Sequence, residues 1–225
     1  MQFLKRLLFG QVPVILSIVL FTSSCTLATV RPLDPTTGKA IIGNESEQFN
    51  ASNLAGQMWD SQMIPTLQKS ATPVNTVLDS LRQNVTTGSE KFGHRPGKEQ
   101  PYSFMVTGTG KVLTVNTTSR AGLAQVDISG DGKADLTLAV GPVIRGTALR
   151  DAAPFIDFNQ FTNQMEYAAV SNELNALVNS KVLTPLGDLH SLEGKTVTFF
   201  GAFTIAATLD ADKVIVTPAI LTVAS

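Results

Sequence analysis

The chain has one cysteine and two histidines among its 225 residues, and charged side chains make up only 16% of it. A single cysteine forbids an internal disulfide, so the fold cannot rest on a disulfide framework. The two histidines, His94 and His190, fall in separate glycine-bearing segments, and neither belongs to a pair with metal-ligand spacing. The charged fraction lies well under the roughly 25% of an ordinary soluble domain. Neither sign is in surplus, because 17 Lys and Arg face 18 Asp and Glu for a formal charge of −1. That balance argues against nucleic acid as a partner, since phosphate binding draws on an excess of cationic side chains. It also argues against disorder, because 43% of the residues are hydrophobic.

Long apolar runs are scarce as well. One occurs, Leu7–Phe21, behind Lys5 and Arg6 and ahead of Thr22-Ser23-Ser24. A positive start, an apolar stretch and small residues at a cleavage zone make a secretory signal. Its 15 residues fall short of the roughly 20 that a transmembrane helix needs. Cys25 stands directly behind the cleavage zone, where a bacterial lipoprotein signal places the cysteine that receives lipid after export. Thr22 occupies the position that such signals usually give to Leu. Residues 1–24 are therefore expected to be a lipoprotein-type signal, with a membrane as partner through a lipid on Cys25. Removing them leaves 201 residues and a formal charge of −3, enough chain for a sizeable core.

Residues 25–46, with Pro32, Pro35 and Gly38 among polar neighbours, read as a flexible tether. The folded domain is expected over 47–225, mainly β with flanking helices (α+β). An N-terminal helical segment spans 49–86. Asn50 caps a helix carrying Leu54, Met58 and Trp59, and Pro65 marks its end. Thr72 caps a second helix, with Pro73 at its first position and Val74, Val77, Leu78, Leu81 and Val85 at helical spacing. Thr86–Pro101 reads as a surface loop. A first β unit spans 101–150, its strands Tyr102–Thr107, Lys111–Asn116, Gly122–Ile128 and Asp135–Ile144 separated by turns such as Gly108-Thr109-Gly110. A linking helix is expected over 155–182, then a second β unit over 192–225 with strands Lys195–Phe203 and Val214–Thr222. Leu192–Val197 resembles the opening of small OB-like barrels. The expected architecture is therefore OB-like β-barrel subdomains joined by a long helix.

Two polar segments could bind ligands. Gly141–Asp151 runs into a helix rich in amides and collects Arg145, Thr147, Arg150, Asp151, Asn159, Asn163 and Gln164 around one strand-to-helix junction. Guanidinium forks recognise carboxylate or phosphate, and amides suit hydroxyl-rich ligands such as sugars. The alternative is that the arginines pair with Asp151 or Asp157 and tie sheet to helix. In Asp127–Asp135, the oxygens of Asp127, Ser129, Asp131 and Asp135 fall at calcium-loop positions 1, 3, 5 and 9, with Gly132 at position 6. Leu138 stands where the bidentate Glu of an EF-hand belongs, and Gly130-Asp131-Gly132 equally suits a tight turn. Calcium is the one cofactor this pattern suggests. Catalytic patterns are sparse. Asp188-Leu189-His190-Ser191 holds triad residue types, but neighbours in sequence do not converge as a triad does.

Several segments carry a likeness to a known family. They are Tyr102-Ser103-Phe104 with Gly108 and Gly110, Ser119-Arg120-Ala121-Gly122, Gly130–Asp135, Gly141–Asp151, Asn163-Gln164 with Tyr167-Ala168, Gly194-Lys195 with Gly201-Ala202-Phe203, and Val216-Thr217-Pro218. On these residues the chain resembles a family of predicted periplasmic lipoproteins often encoded beside sugar ABC transporters, including ribose-type systems. The resemblance implies OB-like β architecture and a place in the bacterial envelope facing the periplasm, lipid-anchored to a membrane. It further implies a non-enzymatic binding or accessory role in carbohydrate uptake, with a transporter component as partner. The alternatives are a structural lipoprotein that docks another envelope protein without a pocket, and a hydrolase using His190. Palmitate-analogue labelling is expected to mark the wild-type chain and to be lost in Cys25→Ala; labelling that survives the substitution would remove the anchor.

Overall fold

The structure is a computed structural model and describes residues 49–205 and 214–224. The signal at 1–24, Cys25 and the tether at 25–46 lie outside the described residues. Asn50 accepts the Asn53 N–H with its side chain and opens helix α1 (Ala51–Met58), as its capping chemistry predicts. Pro65 does not end this helix. The chain passes through one π-type turn, Trp59–Met63, into α2 (Ile64–Ser70). The Ile64 N–H reaches back five residues to Trp59 O, and Pro65 falls in the first turn of α2, where no N–H is required.

Helix α3 (Val74–Gln83) buries Val74, Val77, Leu78 and Leu81, the face read from their spacing. Thr72 is not its cap. Thr72 and Pro73 instead form a two-residue strand, β1, parallel to the strand that carries Val106 and Thr107. The loop expected from Thr86 is in part a helix, α4 (Val85–Phe92). Asn84 caps it by accepting the Thr87 N–H at 2.9 Å, and Gly88 lies against Leu81 of α3. The glycine that suggested a loop is the packing contact between two helices.

The remaining strands are β2 (Ser103–Asn116), β3 (Leu123–Asp127), β4 (Leu136–Ala139), β5 (Thr196–Thr204) and β6 (Ile215–Val223). They join β1 in one six-stranded sheet of order β1-β2-β3-β4-β6-β5, with β2 also paired to β5. All neighbours are antiparallel except β1–β2 and β4–β6. Two β units do not form separate subdomains. β5 lies along the first half of β2, and β6 lies beside β4, so both halves of the chain build one sheet. Nor is the sheet a clean barrel, since β1 adds a sixth strand on the flank of β2.

β2 runs unbroken through Gly108-Thr109-Gly110, which was expected to be a turn. Its residues 103–111 pair with β5 and its residues 111–116 with β3. A Cβ on Gly108 would stand 2.8 Å from Phe199 Cζ, and one on Gly110 would stand 2.5 Å from Asp127 O. The glycines therefore mark close approach within a strand, not a reversal. Phe104 and Phe203 are register partners on β2 and β5, fully buried, with rings stacked at 4.9 Å. Such a pair adds about 0.5–1.5 kcal/mol beyond its burial.

Between β4 and β5 lie α5 (Ala148–Ala152) and α6 (Gln164–Leu177), the latter continuing through a π-type segment to Leu183. The linking helix starts near 164, not 155. Asp157 and Gln160 form a reciprocal capping box around a single 3-10 turn, and Asn163 caps α6, so two caps interrupt the expected helix.

Candidate functional site

α5 places Arg150 and Asp151 side by side in the interior, each less than a tenth exposed. Arg150 Nε donates to Asp151 Oδ1 at 2.7 Å, and Nη2 lies 2.7 Å from the same oxygen. Nη1 donates to the Tyr167 carbonyl on α6 at 3.2 Å. The guanidinium carbon sits 3.7 Å from the centre of the Tyr167 ring, a stacked cation–π contact. The Tyr167 hydroxyl donates to Asp151 Oδ1 at 3.3 Å, and the Thr147 hydroxyl donates to Oδ2. Burial pushes the Tyr167 phenol above its ordinary value, with the Arg150 charge opposing that shift. His94 Nδ1 donates to the Asp151 carbonyl at 2.7 Å and brings in the segment ahead of β2. Every charged group here already has partners. Thr147, Arg150 and Asp151 thus come together as a buried tie between helices and sheet, the alternative weighed from the sequence.

The other expected ligand residues lie elsewhere on the surface. Arg145 is exposed, and among the described residues no ion pair or side-chain hydrogen bond holds it. Asn159 is exposed on the 3-10 turn that Asp157 caps. Asn163 spends its side-chain oxygen on the Met165 and Glu166 N–H groups at 2.9 and 3.0 Å. Gln164 is the exposed first residue of α6. Of the amides read as a ligand site, Asn163 serves local backbone capping, while Asn159 and Gln164 stay exposed on the surface.

The Asp127–Asp135 loop spends its carboxylates in the same way. Asp127 accepts the Gly130 and Gly132 N–H groups at 2.6 and 2.8 Å, one on each oxygen. Asp135 Oδ2 accepts the Ile128 and Ser129 N–H groups at 2.7 and 2.8 Å, and Asp131 accepts the Lys133 N–H. Among the described residues no three His, Cys, Asp or Glu side chains stand close enough to hold a metal ion. Asp127, Ser129, Asp131 and Asp135 therefore do not converge as a calcium cage; they shape a β3–β4 turn. The Gly132 N–H, with help from Gly130, Ser129 and Asp131, holds the Asp127 carboxyl below its usual range against the opposing effect of burial.

His190 Nε2 lies 2.8 Å from the Thr117 hydroxyl, and its Nδ1 lies 3.7 Å from Glu193 Oε1. Glu193 Oε1 also accepts the Val115 N–H at 2.7 Å. Asp188 is committed to the His190 N–H at 3.0 Å. These contacts fasten the Leu189–Leu192 turn to the end of β2.

One surface escaped the sequence reading. The outer face of β2, β3 and β4 carries a groove of about 290 Å³ lined by Thr114, Asn116, Leu123, Gln125 and Thr137. Its signal was the alternation of polar residues at 114, 116 and 125, which reads as an ordinary solvated strand face until the three strands are placed side by side.

A mainly antiparallel sheet with helices inserted between β4 and β5 places the chain among α+β proteins of OB-fold type. An OB-fold protein from Thermotoga maritima MSB8 shares the fold, with a TM-score of 0.65 at 19% identity over 79% of this chain and 100% of that one. The chain belongs to the predicted periplasmic lipoprotein family (DUF2291), whose model matches residues 15–222. It is thus an envelope protein that faces the periplasm. Comparison with curated proteins gives no match.

Removing one member of a buried ion pair strands the other, at a cost of about 3–5 kcal/mol. Arg150→Ala is expected to lose stability on that scale in urea denaturation, while Arg145→Ala stays within about 0.5 kcal/mol of wild type. The Asp127 carboxyl titrates lower in the folded chain than in the unfolded one. Its contribution is therefore present above the unfolded value of about 3.9 and is lost as pH falls through the lower folded value. The melting-temperature gap between wild type and Asp127→Asn should be widest near neutral pH and should narrow below about pH 4.

Proposed function

We propose that this lipoprotein is a non-enzymatic binding or accessory module, tethered by a lipid on Cys25 and working with a carbohydrate ABC transporter. The observation that carries the reading is the groove on the β2–β3–β4 face, whose polar wall is made of hydroxyls and amides without a charge. Such groups match hydroxyl-rich ligands and offer no hold on nucleic acid phosphates. The strand pairings return from β5 to β2, and we read this ring as an OB-like barrel with β1 appended. OB barrels bind oligosaccharides as well as oligonucleotides on the corresponding face, which supports the choice. The resemblance of Gly141–Asp151 to lipoproteins encoded beside sugar transporters supports the partner.

A second reading, a structural lipoprotein that docks another envelope protein without a pocket, draws on three exposed apolar side chains. Met165 is 82% exposed, Ile215 46% and Phe158 38%. Affinity capture of the full-length protein from detergent-solubilised envelopes separates the two. A transporter subunit is expected among the captured proteins. Capture of a different envelope protein that is lost in Met165→Asp would put the second reading in place of the first.

A further inference from the structure

Thr114, Gln125 and Thr137 form one row across β2, β3 and β4, each the register partner of the next. Asn116 and Leu123 face each other one step along the same strands. The two amides are already oriented. Gln125 Oε1 accepts the Thr114 hydroxyl at 3.0 Å. Asn116 Oδ1 accepts the Thr118 N–H at 3.0 Å and the Thr118 hydroxyl at 2.6 Å. With the oxygens engaged, both exposed amides present NH2 groups, two donors each, and Thr137 adds a hydroxyl that can give or receive.

We propose that this groove is the binding site for a single ring of a neutral sugar. Fixed amide donors meet the ring and hydroxyl oxygens, while the Thr137 hydroxyl and the lone pairs of the Thr114 hydroxyl, which donates to Gln125, accept from sugar hydroxyls. Half-buried Leu123 supplies an apolar surface for the C–H face of the ring. An anionic ligand would find no cation in the lining to offset its loss of water. The volume, about 290 Å³, falls just under the roughly 300–1,000 Å³ typical of ligand pockets, which suits one ring and not a chain of them. The site rests on the carbohydrate reading above and narrows its ligand to one uncharged ring.

Full-length protein in detergent is titrated calorimetrically with D-ribose, D-glucose, D-galactose, D-glucuronate and D-glucose 6-phosphate. A neutral sugar is expected to bind more tightly than either charged one. Gln125→Ala and Asn116→Ala are each expected to weaken it by about tenfold, the effect of losing one or two hydrogen bonds. Arg145→Ala should bind as wild type does. Both groove positions are exposed, and an unchanged melting temperature verifies that the variants fold. Binding that survives Gln125→Ala and Asn116→Ala but fails in Arg145→Ala overturns the site and leaves the carbohydrate reading standing. Tighter binding of a charged sugar overturns the neutral ligand class. No binding of any of the five overturns the site and the carbohydrate reading together.

Discussion

The architecture depends on one strand serving two partners. β2 gives residues 103–111 to β5 and residues 111–116 to β3, and among the described residues no other segment links the early strands to the late ones so extensively. A flat strand of 14 residues would run past one of those partners. Gly108 and Gly110 sit where the partner changes, and the absence of side chains there lets Phe199 and the Asp127 carbonyl come close. Around this strand the apolar residues of α2, α3 and α5 find a common core with Phe104, Phe199 and Phe203. Past the switch, the outer face at 114, 116, 125 and 137 carries hydroxyl and amide side chains.

Charge is handled differently at the two polar sites. At Arg150 the molecule buries an ion pair, and it surrounds that pair with donors and acceptors from three separate segments. Such a pair contributes little net stability compared with apolar residues, but it tolerates few alternative arrangements. It fixes how α5, α6 and the His94 segment meet. At Asp127 a lone carboxylate instead takes its compensation from backbone N–H groups in its own loop. One site joins distant parts of the chain, and the other only closes a turn.

The same distinction governs what could be read in advance. Local signals were legible: the Asn50 cap, the apolar face of α3, and the strands at 123–127, 196–204 and 215–223 agree with expectation. Gly88 and Gly108 misled because a glycine that permits close packing looks, in one dimension, like a glycine that permits a turn. The amides at 159, 163 and 164 looked like ligand groups because a capping side chain and a binding side chain have the same chemistry. Asn163 is decided only by the helix that starts behind it. The pairing of Arg150 with its immediate neighbour Asp151 was weighed from the sequence, yet their burial and the ring of Tyr167 16 residues further on were not visible there. The groove was missed because its row is assembled from three strands, each of which alone shows only alternation.

The partnership of β2 with β5 also sets a schedule. Ser103 and Thr204 share a side-chain hydrogen bond across 101 positions of sequence. β2, β3 and β4 emerge from a ribosome or a translocation pore well before β5 and β6 exist as neighbours. Until then β2 lacks its longest ladder, and β4 has nothing on its outer side. Contacts so distant in sequence form slowly, because the chain must close a long loop before any of them is gained. For a protein destined for the periplasm this delay is useful, since a chain that cannot complete its fold until nearly all of it is present remains threadable on the way out.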